Sequence, residues 1–499
     1  MKKGIVYSLL SGIVTAAAFF TPQVGFLCFF ALIPIFRLLL ADTLGKKQAF
    51  IYCLLFALSF YSVSVLWIYG LFPVTNFDVS LGVGFALVTA GWILITLLMS
   101  AELAVALYIL WRMKLPKHVF PVAAGCMFII LEFLQGIGGL GFTWGRIGLS
   151  QAGYPIIIQS AAVLGPMFIS FVVVAVAGYM ALYIKTKNIK YICVAAVIFC
   201  TNIGIGFCIP DYSGREVSVS MVWEDVSNEE KMHRNIGNVL LNLEDKSIES
   251  ADEDTDFILW TETAVPADHY KYPFLHKTYS NIAKKTEAVL ISAGFDREDG
   301  KKYSAMFFTN PDGKYAGSVY KRQLVPFGEY TPFRGVLDKI APSLTASMRD
   351  AEEELNFSKG KSTVITQKGV AGGLVCYDSA MQYLPRQTVN EGAEILMLSV
   401  NDSWFEGTSM TWRHMSQAIF RAVENGRYVV RSTNRGISGV IAPDGKIICS
   451  ASEGEYLKGK AQMINKKTPY TVLGDIIVYI ATAVLLAVYV WEKIKCRIF

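Results

Sequence analysis

Three side chains that together could carry out chemistry at a carbonyl group stand just after strand-like segments of the sequence. Glu262 follows the apolar run FILW, Lys321 follows the second strand of a predicted hairpin, and Cys376 ends the run GGLVC. Residues at the ends of buried strands are held rigidly and face a common edge of a sheet, where active sites are usually assembled. A deprotonated thiol is a strong nucleophile, a carboxylate can accept its proton, and an ammonium can stabilise an oxyanion. The three residues are therefore candidate catalytic residues.

The histidines in this part of the chain argue against other cysteine or metal chemistry. Without metal-ligand spacing among them, a zinc site and a papain-like Cys–His pair are both disfavoured. The four histidines are His233, His269, His276 and His414. We therefore expect no metal and no cofactor. Each candidate residue also has an ordinary alternative, a buried structural cysteine or a solvated charge, and a disulfide between Cys376 and Cys449 would remove the nucleophile.

The elements that must position these residues fall into a membrane part and an aqueous part. Of 499 residues, 53% are hydrophobic and only 17% are charged, whereas soluble proteins carry about a quarter charged residues. A membrane-spanning helix needs roughly 20 apolar residues, and there are eight candidates: 5–20, 24–40, 49–72, 81–111, 119–135, 155–184, 190–208 and 472–491. We expect a bundle of about seven transmembrane helices over 1–208, a catalytic domain over 211–470 and a C-terminal transmembrane helix over 472–491.

Lysine and arginine residues predict the orientation of these spans. They cluster before span one and after spans two, four, six and eight, whereas the alternate short loops carry almost none. Because short cytoplasmic loops are enriched in Lys and Arg, these ends are predicted to be cytoplasmic and the domain between spans seven and eight extracytoplasmic. The net charge of +5 comes from these clusters and does not indicate nucleic-acid binding. The first span, which follows Met1-Lys2-Lys3, also resembles a signal peptide.

Polar residues near the membrane each have two interpretations. Arg146, in GFTWGRIG between spans five and six, is either an interfacial arginine beside Trp144 or part of a lip that contacts a lipid headgroup. Glu102 and Glu132 fall within or near the ends of apolar spans. Carboxylates inside a membrane are costly and often functional, but both side chains could instead reach the membrane interface.

The aqueous domain alternates strand-like and helical segments, which predicts an α/β sandwich with a mixed sheet. Two PDG sequences, at 311–313 and 443–445, predict tight turns. Helices are predicted at 228–247 and 412–425. Strands are predicted at 217–222, 257–260, 288–295, 304–310, 314–320, 374–376, 395–400, 428–432 and 438–442.

Five motifs around the candidate residues resemble the nitrilase superfamily and, within it, the family of apolipoprotein N-acyltransferases. The motifs are WTETAVP at 260–266, YKRQLVPFGEYTP at 320–332, VCYD at 375–378, NDSWF at 401–405 and RYVVRSTNRG at 427–436. The LVPFGE and NDxWF strings are highly specific for this family. The apolar bundle and closing helix match as well, so the resemblance covers essentially the whole chain. It implies a multispanning helical bundle in a bacterial cell (inner) membrane and an α-β-β-α sandwich for the catalytic domain.

The resemblance also implies roles for the matched residues. Glu262 is implied to be the general base, Lys321 to stabilise the oxyanion and Cys376 to be the nucleophile. Glu329 is implied to be a second carboxylate near this triad. The residues implied to bind substrate or to support the site are Tyr377 and Trp404, which would line an acyl or lipid pocket, and Asp378, Phe405 and Trp144.

Three departures from the family's pattern lie outside the triad. Asp378 stands where the family usually has Glu, and Glu406 stands where Gly usually follows the Trp-Phe pair. The first strand of the domain leads into WED at 223–225, where the family usually has a Gln and an Asn. These departures could alter how a substrate fits without changing the class of reaction.

The activity implied by the resemblance is acyl transfer in two steps. An acyl chain from a phospholipid would form a thioester on Cys376 and then pass to the α-amino group of the N-terminal diacylglyceryl-cysteine of a lipoprotein. The expected partners are thus a phospholipid donor, a diacylglyceryl lipoprotein acceptor and the lipid bilayer. Two alternatives stay open: a membrane-tethered nitrilase-type amidase with water as acceptor, and a non-catalytic scaffold or transporter.

Overall fold

The N-terminal part of the protein is a bundle of helices. The computed structural model describes residues 1–498 apart from 75–78, 228–229, 232–233, 270 and 341–352, and no side chains for 496–498. The α-helices of the bundle are α1 (Lys2–Ala17), α2 (Cys28–Ala31), α3 (Ile33–Leu39), α4 (Lys46–Ser64), α5 (Leu81–Arg112), α6 (Phe120–Leu134), α7 (Pro155–Ile158), α8 (Ala161–Leu164), α9 (Pro166–Thr186) and α10 (Lys190–Phe207). Short 3₁₀ helices lie at Pro22–Leu27, Leu66–Leu71 and Ile147–Gly153.

Six helical segments in the described chain are long and apolar enough to cross a membrane, and they correspond to six of the eight predicted spans. These segments are Pro22–Leu39, Lys46–Leu71, Leu81–Arg112, Pro166–Thr186, Lys190–Phe207 and Ile476–Lys495. The other two predicted spans form shorter helices, α1 with 16 residues and α6 with 15. The chain is a membrane protein with several apolar helices.

The two shorter helices are packed into the bundle. Gly12 of α1 lies so close to α4 that a Cβ atom on it would be 2.1 Å from Ser59 Oγ. Small residues allow this close approach between membrane helices. α6 shares an apolar cluster with the closing helix α17 of this chain (Ile476–Ile498), in which Cys126 packs with Ile477. The last helix is therefore part of the same bundle as the first.

The chain between the bundle and the closing helix folds into two six-stranded sheets. Its strands are β1 (Arg215–Val222), β2 (Thr255–Trp260), β3 (Val289–Glu298), β4 (Lys301–Thr309), β5 (Tyr315–Tyr320), β6 (Thr363–Thr366), β7 (Gly369–Val375), β8 (Ile395–Asn401), β9 (Val429–Asn434), β10 (Ser438–Ile441), β11 (Ile447–Ala451) and β12 (Tyr456–Met463). The sheets have the orders β12-β1-β2-β3-β4-β5 and β11-β10-β9-β8-β7-β6. Both are mixed, because three central strands pair in parallel in each.

Helices cover the outer face of each sheet. α11 (Ile236–Ser250) and α12 (Phe274–Thr286) pack on the first sheet, and α14 (Tyr383–Asn390) and α15 (Met410–Asn425) pack on the second. Two shorter helices of the domain are α13 (Arg334–Ile340), which has no buried residue, and α16 (Pro469–Leu473), which packs against other helices. In β2, Ile258 and Trp260 pack with apolar residues of α11 and α12, whereas Phe257 and Leu259 belong to the main core on the other face. This alternation follows from the two-residue period of a strand. The arrangement is an α-β-β-α sandwich, which confirms the predicted fold class.

The predicted strands are all present, with shifted ends, but several elements were not predicted. These are the strands β6, β11 and β12 and the helices α12, α13, α14 and α16. β12 is an edge strand with the polar sequence YLKGKAQM, so it lacks the apolar alternation of a half-buried strand. The predicted helix at 228–247 is represented by α11, which starts at Ile236, and residues 228–229 and 232–233 lie outside the described residues.

Candidate active site

Lys321 lies between two carboxylates at the edge of the first sheet. It follows β5, and its backbone N–H donates to Ser304 of β4 over 2.9 Å. Its Nζ lies 2.8 Å from Glu262 Oε1 and 2.7 Å from Glu329 Oε1. Glu262 follows β2, and its own backbone N–H donates to Val400 of β8 in the other sheet. The two sheets thus bring Lys321 and both carboxylates into one buried cluster.

The charges of this cluster keep Lys321 protonated. Burial lowers the pKa of the Lys321 ammonium, but the Glu262 and Glu329 carboxylates outweigh that effect and hold the pKa well above its ordinary value. Glu329 is fixed by its second oxygen, which accepts a hydrogen bond of 2.8 Å from the Val325 N–H in the LVPFGE segment. Lys321 is therefore a permanent cation in a site that is nearly closed to water.

Cys376 stands at a strained position immediately after β7. Its φ angle is +46°, in the left-handed region that non-glycine residues rarely adopt. Burial raises the pKa of the thiol well above its ordinary value, the Glu262 carboxylate adds to this effect, and the Lys321 ammonium opposes it. The thiol is thus protonated at neutral pH. It needs a base before it can act as a nucleophile.

Asp378 is a structural tie between the cysteine turn and the segment that follows Lys321. Its Oδ1 accepts hydrogen bonds from the N–H groups of Arg322 at 3.1 Å and Gln323 at 2.8 Å. Its Oδ2 accepts from the Val375 N–H at 3.1 Å. Because both oxygens are occupied by backbone donors, the shorter Asp side chain at this position positions the site rather than contacting a substrate.

The predicted apolar residues form a wall made partly by the bundle. Tyr377 stacks on Trp144, with ring centres 5.8 Å apart, and donates a hydrogen bond of 2.7 Å to the Gly141 carbonyl. Phe405 makes an edge contact with Trp67 at 5.1 Å. Tyr377, Trp144, Phe405 and Trp67 belong to one apolar cluster. Trp404, in contrast, is about one third exposed at 36% and lies outside that cluster.

Lys231 is a site residue that the sequence did not reveal. Its buried Nζ donates a hydrogen bond of 2.6 Å to the backbone carbonyl of Glu262, just before Thr263, which has a positive φ of 49°. Burial lowers the pKa of the Lys231 ammonium to about 8, and Glu262 and Glu224 oppose that shift. Lys231 therefore fixes the turn that presents the Glu262 carboxylate. A lone lysine in a polar segment gives no sequence signal for this role.

A second unpredicted group supports the cysteine turn from the opposite side. His414 Nδ1 lies 2.7 Å from Asp402 Oδ1, and Asp402 Oδ2 lies 2.6 Å from an Arg431 nitrogen. His414 Nε2 lies 3.1 Å from Ser379 Oγ and 3.4 Å from the Cys376 carbonyl oxygen. These contacts involve the backbone of Cys376, so His414 positions the turn. Asp402, from the NDxWF motif, orients the imidazole.

Arg146 has a structural role that differs from both of its predicted interpretations. Arg146 is buried. Its guanidinium donates a hydrogen bond of 2.6 Å to the side-chain oxygen of Gln382 in the domain and one of 3.1 Å to the Glu132 carbonyl. It is therefore neither a solvent-directed interfacial arginine nor a headgroup-binding lip. Glu132 is buried as well and accepts from the Ile147 N–H. Glu102 is exposed and accepts from Gln135.

Two further predictions concern a disulfide between Cys376 and Cys449 and a metal site built from histidines. Cys376 and Cys449 are both free thiols, so the alternative of a disulfide is wrong. Within the described parts of the chain, no three His, Cys, Asp or Glu side chains are grouped as metal ligands. His233 lies outside the described residues, and His269 is buried against Phe307, with ring centres 3.9 Å apart.

Comparison with known proteins gives a match for each half of the chain. Residues 228–459 match the carbon-nitrogen hydrolase family, and residues 11–179 match the apolipoprotein N-acyltransferase N-terminal domain. The chain is 25% identical over 510 residues to an apolipoprotein N-acyltransferase of Vibrio cholerae, covering 97% of this chain and 96% of that protein. It is 26% identical over 518 residues to the apolipoprotein N-acyltransferase of Haemophilus influenzae, covering 98% and 95%. That of Vibrio vulnificus is 27% identical over 387 residues, covering 74% and 75%.

Proposed function

The chain belongs to the apolipoprotein N-acyltransferase family, and from that premise we propose that Cys376 carries an acyl group from a phospholipid to a lipoprotein as a thioester. The acceptor is the α-amino group of an N-terminal diacylglyceryl-cysteine. The chain is an acyltransferase that acts on lipoproteins. The observation that supports the mechanism is the buried cluster of Lys321, Glu262 and Glu329, whose charges act on Cys376.

In the first step the Cys376 thiol attacks the ester carbonyl carbon of the donor. Glu262 accepts the thiol proton as the carbon–sulfur bond forms. Lys321 stabilises the negative charge that develops on the carbonyl oxygen. When the tetrahedral intermediate collapses, the carbon–oxygen ester bond breaks and the lysophospholipid alkoxide takes the proton from Glu262. A thioester on Cys376 remains.

In the second step the lipoprotein amine is the nucleophile. It attacks the thioester carbon, Glu262 accepts a proton from the nitrogen, and Lys321 again stabilises the oxyanion. Collapse breaks the carbon–sulfur bond and leaves an amide on the lipoprotein. The sulfur of Cys376 recovers the proton from Glu262. Every proton moves among the substrates, Glu262 and Cys376, so the cycle balances without a cofactor.

The apolar wall around the cysteine has the role of receiving the acyl chain and excluding water. Tyr377, which directly follows Cys376, packs with Trp144 and Phe405 in one aromatic cluster, and Trp404 offers a partly exposed ring. Exclusion of water matters because water would otherwise hydrolyse the thioester. An amidase that uses water as acceptor has no comparable need for a wall built by a membrane bundle.

The domain is proposed to lie on the extracytoplasmic side of a bacterial inner membrane. Asp42, after the second predicted span, pairs with Lys117 and Lys185, which follow the fourth and sixth. Three basic loops therefore meet at one end of the bundle. α4 starts near Asp42 and ends at Ser64, whose carbonyl accepts a hydrogen bond from Arg413 of the domain, so the domain lies at the other end.

Cysteine labelling tests this orientation. In cells with an intact inner membrane, an impermeant maleimide is expected to label Lys277→Cys, on the exposed surface of α12, but not Asn188→Cys, in the loop after α9. Peptide mass mapping distinguishes both from the native cysteines. The opposite labelling pattern would overturn the orientation while leaving the chemistry untouched.

Intact mass spectrometry tests the acyl-enzyme. Full-length protein incubated with phospholipid alone is expected to gain the mass of one acyl chain, which a diacylglyceryl-cysteine peptide then removes. Cys376→Ala should gain no mass. Cys449→Ala is the matched control, because Cys449 is the other cysteine of the domain and should leave the adduct unchanged.

The same experiment decides between the transferase and the tethered amidase. Ammonia release from small amides, without an acyl adduct from phospholipid, would contradict the transferase. The scaffold or transporter is not retained, because the relatives that cover nearly the whole chain are acyltransferases.

A further inference from the structure

Arg413 is a buried cation at the junction of the domain and the bundle. It lies in the first turns of α15 and is only 3% exposed. One terminal nitrogen donates a hydrogen bond of 2.6 Å to the Ser64 carbonyl at the end of α4. Its Nε and its other terminal nitrogen have no hydrogen-bond partner in the described structure. The guanidinium lies 5.2 Å from the Phe19 ring centre and 6.0 Å from that of Phe20.

No acidic side chain among the described residues neutralises Arg413. Burial alone lowers the pKa of its guanidinium to about 9, so the group still carries a positive charge at neutral pH. A buried charge without a counter-charge costs several kcal/mol, and such groups are normally paired. Two other buried arginines of the domain are paired, Arg431 with Asp402 and Arg421 with Glu424. Arg322 and Arg427 have no such partner in the described part of the chain, but each donates to at least two carbonyl or hydroxyl oxygens, whereas Arg413 donates to one. The Arg413 guanidinium therefore lacks a counter-charge, which a bound anion would supply.

A cavity of about 440 Å³ lies near Arg413, which does not itself line it but contacts its wall at the Phe20 ring. Its walls are mostly apolar and come from the bundle and the start of α15: Phe20, Val63, Leu66, Trp67, Thr408 and Ser409. Phe20 lies under the guanidinium, and Ser409 lies one helical turn before Arg413. The Trp67 indole N–H and the Ser64 hydroxyl, next to the cavity, also lack hydrogen-bond partners. Apolar walls beside unpaired donors suit an amphiphile with an anionic headgroup.

We propose that Arg413 and this cavity bind the phosphodiester headgroup of the phospholipid acyl donor. The inference rests on the proposed function and adds the place where the donor is held. A guanidinium is well matched to phosphate oxygens because its planar N–H groups can bind two of them. The acceptor is excluded as the occupant because its reacting end is an amine, whose ammonium form the guanidinium would repel.

The headgroup cavity is connected to the cysteine through neighbouring side chains. Trp67 lines the cavity and contacts Phe405, and both rings pack in the cluster that contains Tyr377, the residue after Cys376. His414, the residue after Arg413, contacts the Cys376 carbonyl oxygen at 3.4 Å. A donor whose phosphate is held at Arg413 can therefore direct its ester towards Cys376 along this aromatic wall.

Single-turnover acylation separates donor binding from the rest of the reaction. For Arg413→Met in the full-length protein, the phospholipid concentration that half-saturates thioester formation is expected to rise about tenfold or more. Discharge of a preformed thioester by the diacylglyceryl-cysteine peptide should not change, because the phosphodiester has left by then. Arg413→Lys should restore part of the affinity. Unchanged half-saturation, or an equal loss in acylation and discharge, would overturn the inference.

Ser409→Asp gives a second test that does not remove the arginine. Aspartate is a good residue at this helix start, so α15 should still form. Its carboxylate stands four residues before Arg413, where it can pair with the guanidinium and compete with phosphate. The same rise in half-saturation is expected. Asn281→Asp, which adds a carboxylate on the exposed surface of α12 and away from the cavity, is the matched control and should leave half-saturation unchanged. A wild-type protein that forms no thioester would instead refute the proposed function itself.

Discussion

Lys321 has two effects on its surroundings because it is bound by two carboxylates and lies near a thiol. Its hydrogen bond of 2.8 Å holds the Glu262 carboxylate in place. Its positive charge lowers the pKa of Cys376, whereas Glu262 and burial raise it. Burial is the largest of these effects, and the Glu329 and Asp402 carboxylates add smaller ones. Glu262 and Lys321 are the two largest charge effects, and each can be removed separately.

Replacing Glu262 and replacing Lys321 are expected to shift the pKa of the Cys376 thiol in opposite directions. Glu262→Gln removes a negative charge, so the pKa of Cys376 should fall, although thioester formation should drop by roughly 10²–10⁴-fold without the base. Lys321→Met should raise the pKa of the thiol. The pH dependence of Cys376 alkylation by iodoacetamide, followed by intact mass, measures both shifts. A shift in the same direction in both variants would contradict this account.

Asp378 is expected to be essential for stability rather than for the reaction. In Asp378→Ala, three buried backbone N–H groups lose their acceptor, and each such loss costs about 1–3 kcal/mol. Asp378→Asn keeps the oxygen that serves Arg322 and Gln323 but not the one that serves Val375, so it should be intermediate. The midpoint of thermal unfolding in detergent gives the order. Equal midpoints for Asp378→Ala and the wild type would contradict a stabilising role for these hydrogen bonds.

At the scale of residues, the sequence predicted the members of the ion-pair cluster but not the groups that position them. Glu262 and Lys321 each follow a strand of the first sheet, and Glu329 lies in the LVPFGE motif that follows Lys321. Both carboxylates pair with Lys321. Lys231 and His414 contact backbone carbonyls, and nothing in their local sequence marks those partners. Their roles follow only from tertiary packing.

At the scale of elements, the two glycines before the nucleophile allow β7 to fit between a helix and the opposite sheet. A Cβ on Gly372 would lie 2.5 Å from Thr388 of α14, and one on Gly373 would lie 3.0 Å from Val319 of β5. Larger residues would push β7 away from one layer or the other. The glycines therefore fix the position of β7 between the two layers, and with it the position of Cys376 relative to the Lys321 cluster.

Gly372→Ala is expected to destabilise the domain by about 1–3 kcal/mol, because the added methyl group overpacks β7 against α14. Thermal unfolding and the yield of acyl adduct should both decrease. Gly335→Ala in α13 is the matched control, since no atom lies within 4 Å of its Cβ position. If the two variants behaved alike, the close packing of β7 would not be the reason for the double glycine.

The elements themselves were predictable where their apolar pattern was clear. β2 and β8 are buried runs and were recognised, whereas β6 and β12 are short or polar edge strands and were missed. The pairing of β12 with β1 joins segments at opposite ends of the domain. Local periodicity has no information about such a pairing.

At the scale of the whole molecule, the bundle builds part of the site as well as anchoring it. The loop between the fifth and sixth predicted spans contacts the turn after the nucleophile at three points. Arg146 bonds to Gln382, Thr143 to the Ala380 carbonyl, and Tyr377 to the Gly141 carbonyl. Hydropathy and local motifs do not show that the bundle packs on the domain. For that reason the sequence predicts Arg146 at the membrane surface rather than at this interface.

Arg146→Met is expected to loosen the interface and slow thioester formation. The change removes hydrogen bonds to Gln382 and to the Glu132 carbonyl, so the thermal midpoint should fall as well. Gln382→Leu in the same background should add little, because the two residues act as one contact. Fully additive losses in the double variant, measured by thermal unfolding and single-turnover acylation, would show that the residues act independently.

The antiparallel pairing of β1 with β12, in which Arg215 lies opposite Met463, has a consequence for the order of biosynthesis. The first strand of the domain leaves the ribosome long before the last one. In the proposed orientation, β1 keeps an open edge until β12 has crossed the membrane, so export rather than translation sets the time at which the sheet closes. A chain stopped before Tyr456 exposes that edge permanently, and such edges promote aggregation.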